Sequence, residues 1–149
     1  LKHSVPGDVP KPRLNLITTL TISAPIVCHH CADAPCVASC PEGALYFDGA
    51  RVAVKQERCI GCRYCMTACP YGVRQMNPKT NTVEKCTLCF QRKNDENWVP
   101  ACVHNCCCGA RYFGDLDDPN SEVSRLLASR EYTQLHTEFG TKPSVYYLV

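Results

Sequence analysis

Apolar and polar positions along this chain alternate in short stretches and nowhere keep a long period. Ala44 to Phe47 and Arg51 to Val54 read as two strands flanking Asp48-Gly49, a two-residue hairpin signal. Gly72 to Met76 and Thr82 to Glu84 read as a second hairpin around Asn77-Pro78-Lys79-Thr80-Asn81, a loop rich in turn formers. The clearest helical spacing is Val123, Leu126 and Leu127, with Asp118 as the expected cap and Pro119 at the first helical position. Val145 to Val149 reads as a closing strand that docks or pairs, while Pro6, Gly7, Pro10 and Pro12 make residues 1–21 read as an extended arm. The longest apolar candidate, Leu14 to Val27, is broken by Asn15, by threonines and by Pro25, and falls short of the roughly 18 residues of a membrane span.

Composition sharpens this picture, because 14 of the 149 residues are cysteine. Leu, Ile, Val and Phe fill little more than a fifth of the chain, close to the floor at which apolar burial can offset the entropy of ordering. Something other than an aliphatic core must hold this fold. A net charge of +2 with 20% charged residues is too small and scattered for a nucleic-acid footprint or a polybasic membrane patch. The chain begins at Leu1 rather than Met, so the lack of a signal peptide carries little weight.

The cysteines form an internal repeat. One block runs Cys28-x2-Cys31-x4-Cys36-x3-Cys40-Pro41, a second Cys59-x2-Cys62-x2-Cys65-x3-Cys69-Pro70, and a third Cys86-x2-Cys89-x12-Cys102-x3-Cys106. Three residues past each final cysteine stands a glycine, Gly43, Gly72 or Gly109, followed by Ala44, Val73 or Ala110.

Disulfides fit poorly, since bridges in small secreted domains join distant residues rather than Cys-x2-Cys neighbours. Zinc uses tetrahedral sets of four, commonly two Cys-x2-Cys pairs, and does not explain cysteine blocks ending in Cys-Pro. A thioredoxin-like motif needs one Cys-x-x-Cys, not three blocks. Iron–sulfur ligation fits, because the second block is the bacterial ferredoxin run residue for residue. In that run three thiolates of one loop serve one cube and the fourth serves its neighbour. The expected sets are therefore Cys28, Cys31, Cys36 with Cys69 (cluster A) and Cys59, Cys62, Cys65 with Cys40 (cluster B).

The sequence resembles the ferredoxin-like electron-transfer subunits that accompany molybdopterin enzymes of the dimethyl sulfoxide reductase type. The likeness rests on Cys28-His-His-Cys31-Ala-Asp-Ala-Pro-Cys36, on Cys59 to Gly72, on Glu84-Lys-Cys86-Thr-Leu-Cys89 with Pro100-Ala-Cys102, and on the tail with Phe113-Gly-Asp, Gly140-Thr-Lys-Pro143 and Tyr146-Tyr-Leu148. It implies an α+β, small and irregular ferredoxin-like fold with short hairpins and few helices. It also implies three or four 4Fe-4S clusters, the third block contributing Cys86, Cys89, Cys102 and Cys106, with Cys107 or Cys108 as substitutes. The family usually has four blocks, the first crossing with the last. Either a block precedes Leu1, which the non-Met start favours, or the third block closes a cluster by itself.

No nucleophile–base pair, paired carboxylates or phosphate loop is visible, so the chain reads as a non-catalytic electron conduit. The resemblance implies a molybdenum or tungsten pterin subunit as one partner, with a membrane anchor exchanging electrons with quinone as a frequent other. It also implies membrane association through those partners, on a face the sequence leaves open with a lean to the periplasm. The rivals are a freely diffusing polyferredoxin, an electron-transfer subunit of a hydrogenase-type complex, and a zinc-binding module. Four regions are expected: the arm 1–21, a two-cluster unit 22–85, the third block with a hairpin 86–116, and a helix with partner-docking tail 117–149. His29 and His30 read as exposed loop residues. Tyr46, Phe47, Tyr64 and Tyr71 read as packing around the clusters, and Arg58, Arg63, Arg74 and Lys85 as countercharges or as a solvated face.

Overall fold

The computed structural model describes residues 13–19, 23–92 and 98–149. The expected arm lies outside them at 1–12 and 20–21. Its described part is extended but paired, since β1 (Asn15–Thr18) forms an antiparallel hairpin with β2 (Ser23–Ile26). Three more two-stranded antiparallel hairpins follow: β3 (Leu45–Asp48) with β4 (Arg51–Val54), β5 (Gln75–Asn77) with β6 (Thr82–Glu84), and β7 (Tyr132–Thr133) with β8 (Tyr147–Leu148). The helices are short: α1 (Pro35–Ala38), α2 (Tyr64–Thr67), α3 (Ala101–His104) and α4 (Glu122–Ser129). The chain is thus α+β, built of small hairpins and few helices.

Local chemistry explains where elements shift from expectation. Asp48 pairs with Arg51, so the β3–β4 turn is centred on Gly49 and Ala50, one residue later than Asp48-Gly49. Gly49 takes the left-handed position at φ 58°, and the Asp48 carboxylate accepts from the Arg51 guanidinium across the turn. The second hairpin starts at Gln75 rather than Gly72, because Gly72 turns back at φ 60° with its N–H on the Cys69 carbonyl at 3.2 Å. Helix α4 begins at Glu122 with Ser121 as its cap, the Ser121 Oγ accepting from the Ser124 N–H at 3.2 Å. Asp118 instead caps its own turn, its carboxylate accepting from the Asn120 N–H at 2.9 Å. Between 86 and 116 the described residues contain α3 and a short 3-10 turn at Phe90–Arg92 but no strand, in place of the expected hairpin.

The cysteine repeat is also a structural repeat. Cys36, Cys65 and Cys102 each hold the second position of a four-residue helix, α1, α2 and α3. The last cysteine of each block then opens one and the same turn. The N–H groups of Gly43, Gly72 and Gly109 bond the carbonyls of Cys40, Cys69 and Cys106 at 3.2, 3.2 and 3.1 Å, and all three glycines have φ between 55° and 60°.

The main buried cluster joins Cys31, Ala34, Cys36 and Cys65 to Leu45, Val52 and Val83 from the hairpins. A second joins Ile26, Cys28 and Val73. Cysteine thus fills positions that aliphatics hold in an ordinary core.

Within the expected docking tail, residues 141–144 lie across the first block. The Ser144 N–H and Oγ donate to the carbonyls of His29 and His30 at 2.9 and 3.1 Å, while the carbonyls of Lys142 and Thr141 accept from the N–H groups of Ala32 and Asp33 at 2.9 and 3.1 Å. The physical reason is that the Cys28–Cys36 loop has no strand partner for its backbone, and the tail supplies one. Tyr147 Oη extends the strap by donating to the Pro25 carbonyl at 3.0 Å.

Candidate functional site

Two neighbouring cavities carry eight of the cysteines. One, partly open to solvent, is lined by Cys40, Cys59, Cys62 and Cys65 together with Leu45, Ile60, Met76 and Val83. The other is lined by Cys28, Cys31, Cys36 and Cys69 with His29, Val52, Tyr71, Val73 and Arg74. Each wall therefore takes three cysteines from one block and the last cysteine from the other. Of the outer set Cys62 is exposed, whereas Cys28, Cys31 and Cys36 of the inner set are all buried. Cys36 of the inner cavity and Cys65 of the outer one belong to one buried cluster.

In the third block, Cys86, Cys89 and Cys102 come together. The Ala101 N–H, beside Cys102, donates to Cys89 Sγ at 3.5 Å, and Cys102 is close enough to Cys86 to push its thiol pKa up further. Cys86 also packs against the Cys28 cluster. Cys106 is half-buried and accepts from the Ala110 N–H at 3.3 Å, while Cys107 and Cys108 are exposed with their sulfurs 3.6 Å apart.

The donor set fits an iron–sulfur cluster. Burial pushes the thiols of Cys31, Cys36, Cys65 and Cys86 up, even with the Arg74 guanidinium beside Cys36, so each would stay protonated without a metal to bind its thiolate. Among the described residues no three Cys, His, Asp or Glu side chains converge on one point as a single tetrahedral ion demands. The sulfurs stand around a space instead. Backbone N–H groups already aim at several of them: Ala44 at Cys40 (3.2 Å), Val83 at Cys59 (3.4 Å) and Leu88 at Cys86 (3.4 Å). Such donors stabilise charge on a metal-bound sulfur.

His29 and His30, expected to be exposed, are 1% and 3% exposed. Their burial comes from distant segments, because the tail covers their carbonyls and β4 donates the Val52 N–H to His30 Nδ1 at 3.2 Å. Nothing local in Cys28-His-His-Cys31 announces that. Burial lowers His29 to about 4, helped by His136, and His30 to about 3, helped by Lys85, Arg51 and Arg74, so both imidazoles are neutral near pH 7. The four basic residues divide in two: Arg58 and Arg63 are exposed, whereas Arg74 and Lys85 are buried. Arg74 donates to Cys36 Sγ, and the Lys85 ammonium donates to the carbonyls of Val52 and Cys86. Of the aromatics, Tyr71 packs on the inner cavity with its ring stacked on His29 at 3.8 Å. Tyr64 and Phe47, expected as packing, are instead 63% and 47% exposed, and Tyr46 lies under the Lys55 ammonium. Among the described residues no helix is long and apolar enough to cross a membrane.

Residues 20–116 match the family described as 4Fe-4S dicluster domain, and the chain belongs to that family. Its cofactors are 4Fe-4S clusters. It is similar to a sulfite dehydrogenase subunit of Allochromatium vinosum, 44% identical over 137 residues that cover 87% of this chain and 57% of the relative. It is also similar to protein NrfC of Escherichia coli, 46% identical over 80% of this chain and 54% of the relative, and to a tetrathionate reductase subunit of Salmonella typhimurium, 43% identical over 83% and 50%. The chain thus spans about half the length of the curated relatives it matches.

Proposed function

We propose that this chain is a non-catalytic electron conduit within a multi-subunit oxidoreductase. Cys28, Cys31, Cys36 and Cys69 hold cluster A in the inner cavity, and Cys59, Cys62, Cys65 and Cys40 hold cluster B in the outer one. When bound, a 4Fe-4S cluster supplies one-electron redox chemistry. The single observation that supports this reading is contiguity. Cys65 of the outer cavity and Cys36 of the inner one belong to one buried cluster, and Cys86 of the third block packs against the cluster that holds Cys28.

The third block continues the line, with Cys86, Cys89 and Cys102 holding a further cluster and Cys106 as its fourth ligand or as the ligand that crosses to another, Cys107 and Cys108 being the substitutes. The partner on one side is a catalytic subunit carrying a molybdenum or tungsten pterin. On the other is a membrane anchor or other acceptor, so that the chain is membrane-associated through its partners. The names of the sulfite dehydrogenase and tetrathionate reductase subunits support a place in such a complex.

The test is spectroscopy of the holoprotein with single ligands replaced. Cys69→Ser is expected to alter the cluster of Cys28, Cys31 and Cys36, and Cys40→Ser that of Cys59, Cys62 and Cys65. The reverse pattern would refute the crossed ligation. Purification of the native complex tests the partner: a chain that runs alone, with no pterin-bearing subunit, contradicts the conduit reading in favour of a diffusing polyferredoxin.

A further inference from the structure

The two cavities differ in the polar groups they meet. The inner one is lined by Arg74, 5% exposed, and His29, 1% exposed. Arg74 gives one N–H to Cys36 Sγ, but its Nε and Nη1 have no hydrogen-bond partner among the described residues, and neither nitrogen of His29 has one. The outer cavity is lined by no buried polar side chain: its Glu42 and Arg63 are exposed and the rest is apolar or cysteine.

A buried guanidinium with two unused donor nitrogens and a buried imidazole with no bond are costly to leave unpaired, and buried polar groups as a rule have partners. Both side chains border the cavity whose occupant carries negatively charged sulfur. Tyr71, stacked on His29, fixes the plane of the imidazole. Lys85 is a third buried group on this side, yet its ammonium is committed to two carbonyls and acts only through its charge.

We propose that Arg74 and His29 donate hydrogen bonds to the sulfur of the cluster held in the inner cavity, and thereby make it the member of the pair that is reduced first. The inference rests on the crossed ligation above. Reduction adds one negative charge, and fixed donors with a buried cation stabilise that charge more than the oxidised form, which raises the potential. The outer cavity, with exposed Cys62, has no buried donor in its wall, and Arg74 reaches it only through its charge at Cys65. An electron entering at Cys62 therefore moves downhill to the buried site.

Potentiometric titration of the holoprotein, read by electron paramagnetic resonance, tests this, with Cys69→Ser and Cys40→Ser identifying which signal belongs to which cavity. In the wild type the inner signal is expected to appear first. In Arg74→Gln, the reduced-to-oxidised ratio of the inner site at a fixed potential should fall about tenfold, or about 59 mV for a one-electron couple, with the outer site moved less than about twofold. Arg74→Lys should recover most of the loss, and His29→Phe, which keeps the stack on Tyr71, should give a smaller loss of the same sign. Should Arg74→Gln fail to fold, wild-type protein labelled with nitrogen-15 in arginine or histidine is expected to show label coupling to the reduced inner site alone. Equal shifts at both sites, no shift, or coupling only at the outer site overturn the inference while the crossed ligation stands. Loss of the Cys59, Cys62 and Cys65 signal in Cys69→Ser refutes the ligation itself and takes the inference with it.

Discussion

Tyr71 Oη and Thr141 Oγ1 lie 2.7 Å apart, tying the residue after Cys69-Pro70 to the C-terminal tail. Thr141 is 3% exposed; its own carbonyl accepts from the Asp33 N–H and that of its neighbour Lys142 from the Ala32 N–H. One hydroxyl pair therefore joins the second block, the tail and the loop of the first. Thr141→Val keeps the shape but removes one of the two partners of the Tyr71 hydroxyl, the other being Cys31, an expected cost of about 0.5–1.5 kcal/mol. Amide exchange checks this: Ala32 and Asp33 should exchange faster in Thr141→Val and near the wild-type rate in Thr141→Ser.

Gly61 stands where the second block touches the β5–β6 turn. A Cβ there would meet the Asn81 carbonyl oxygen at 2.4 Å, and its φ of 71° is left-handed. Gly61→Ala is expected to displace the turn, with it the Val83 N–H that donates to Cys59, and to lower iron content at the outer cavity while sparing the inner one. Gly49 is the control. It too has positive φ, but a Cβ there meets nothing within 4 Å, so Gly49→Ala should cost only the roughly 1–2 kcal/mol of backbone strain. Iron analysis with spectroscopy of the two variants distinguishes clash from strain.

The repeat was legible because ligation fixes local spacing. The position of Cys36, Cys65 and Cys102 in their helices, and the shared glycine turn after Cys40, Cys69 and Cys106, follow from residues three or four apart. The hairpins at Asp48 and Asn77 were legible to within a few residues for the same reason, the error being which residue takes the left-handed position. The burial of His29, His30 and Arg74 was not. It arises from contacts with Ser144, Val52 and Cys36, between 22 and 115 positions away, and the charges of Arg63 and Arg74 look alike until one is exposed and the other enclosed. The bonds of the tail to the first block are hidden in the sequence on the same ground, since they join residues more than 100 positions apart.

Exposure sets the order in which the sites lose metal under oxidation. Oxidants and water reach a thiolate through the surface, so the outer set, which includes exposed Cys62, is expected to release iron before the inner set, in which three cysteines are buried. Mild ferricyanide treatment followed by alkylation and mass spectrometry should therefore label Cys62 and Cys59 well before Cys31 or Cys36. Equal labelling would mean that the inner cavity opens as readily as the outer.

Removal of the clusters is expected to unfold the chain rather than leave a preformed scaffold. The buried clusters are built in large part from cysteine: Cys31, Cys36 and Cys65 in one, and Cys28 in the other. Without iron these thiols are protonated, because burial has pushed Cys31, Cys36 and Cys65 up. The cavities they surround then hold no ligand bonds to offset the ordering of the loops, and the aliphatics that remain, chiefly Leu45, Val52 and Val83, sit in hairpins of only three or four residues per strand. Two-stranded hairpins of that length are marginal alone, and the ligand bonds make binding and folding one process. Iron chelation under reducing conditions should abolish exchange protection at the paired amides of β3 with β4 and of β5 with β6 together with the loops. Protection that survived in the hairpins while the loops opened would show that they fold without the metal.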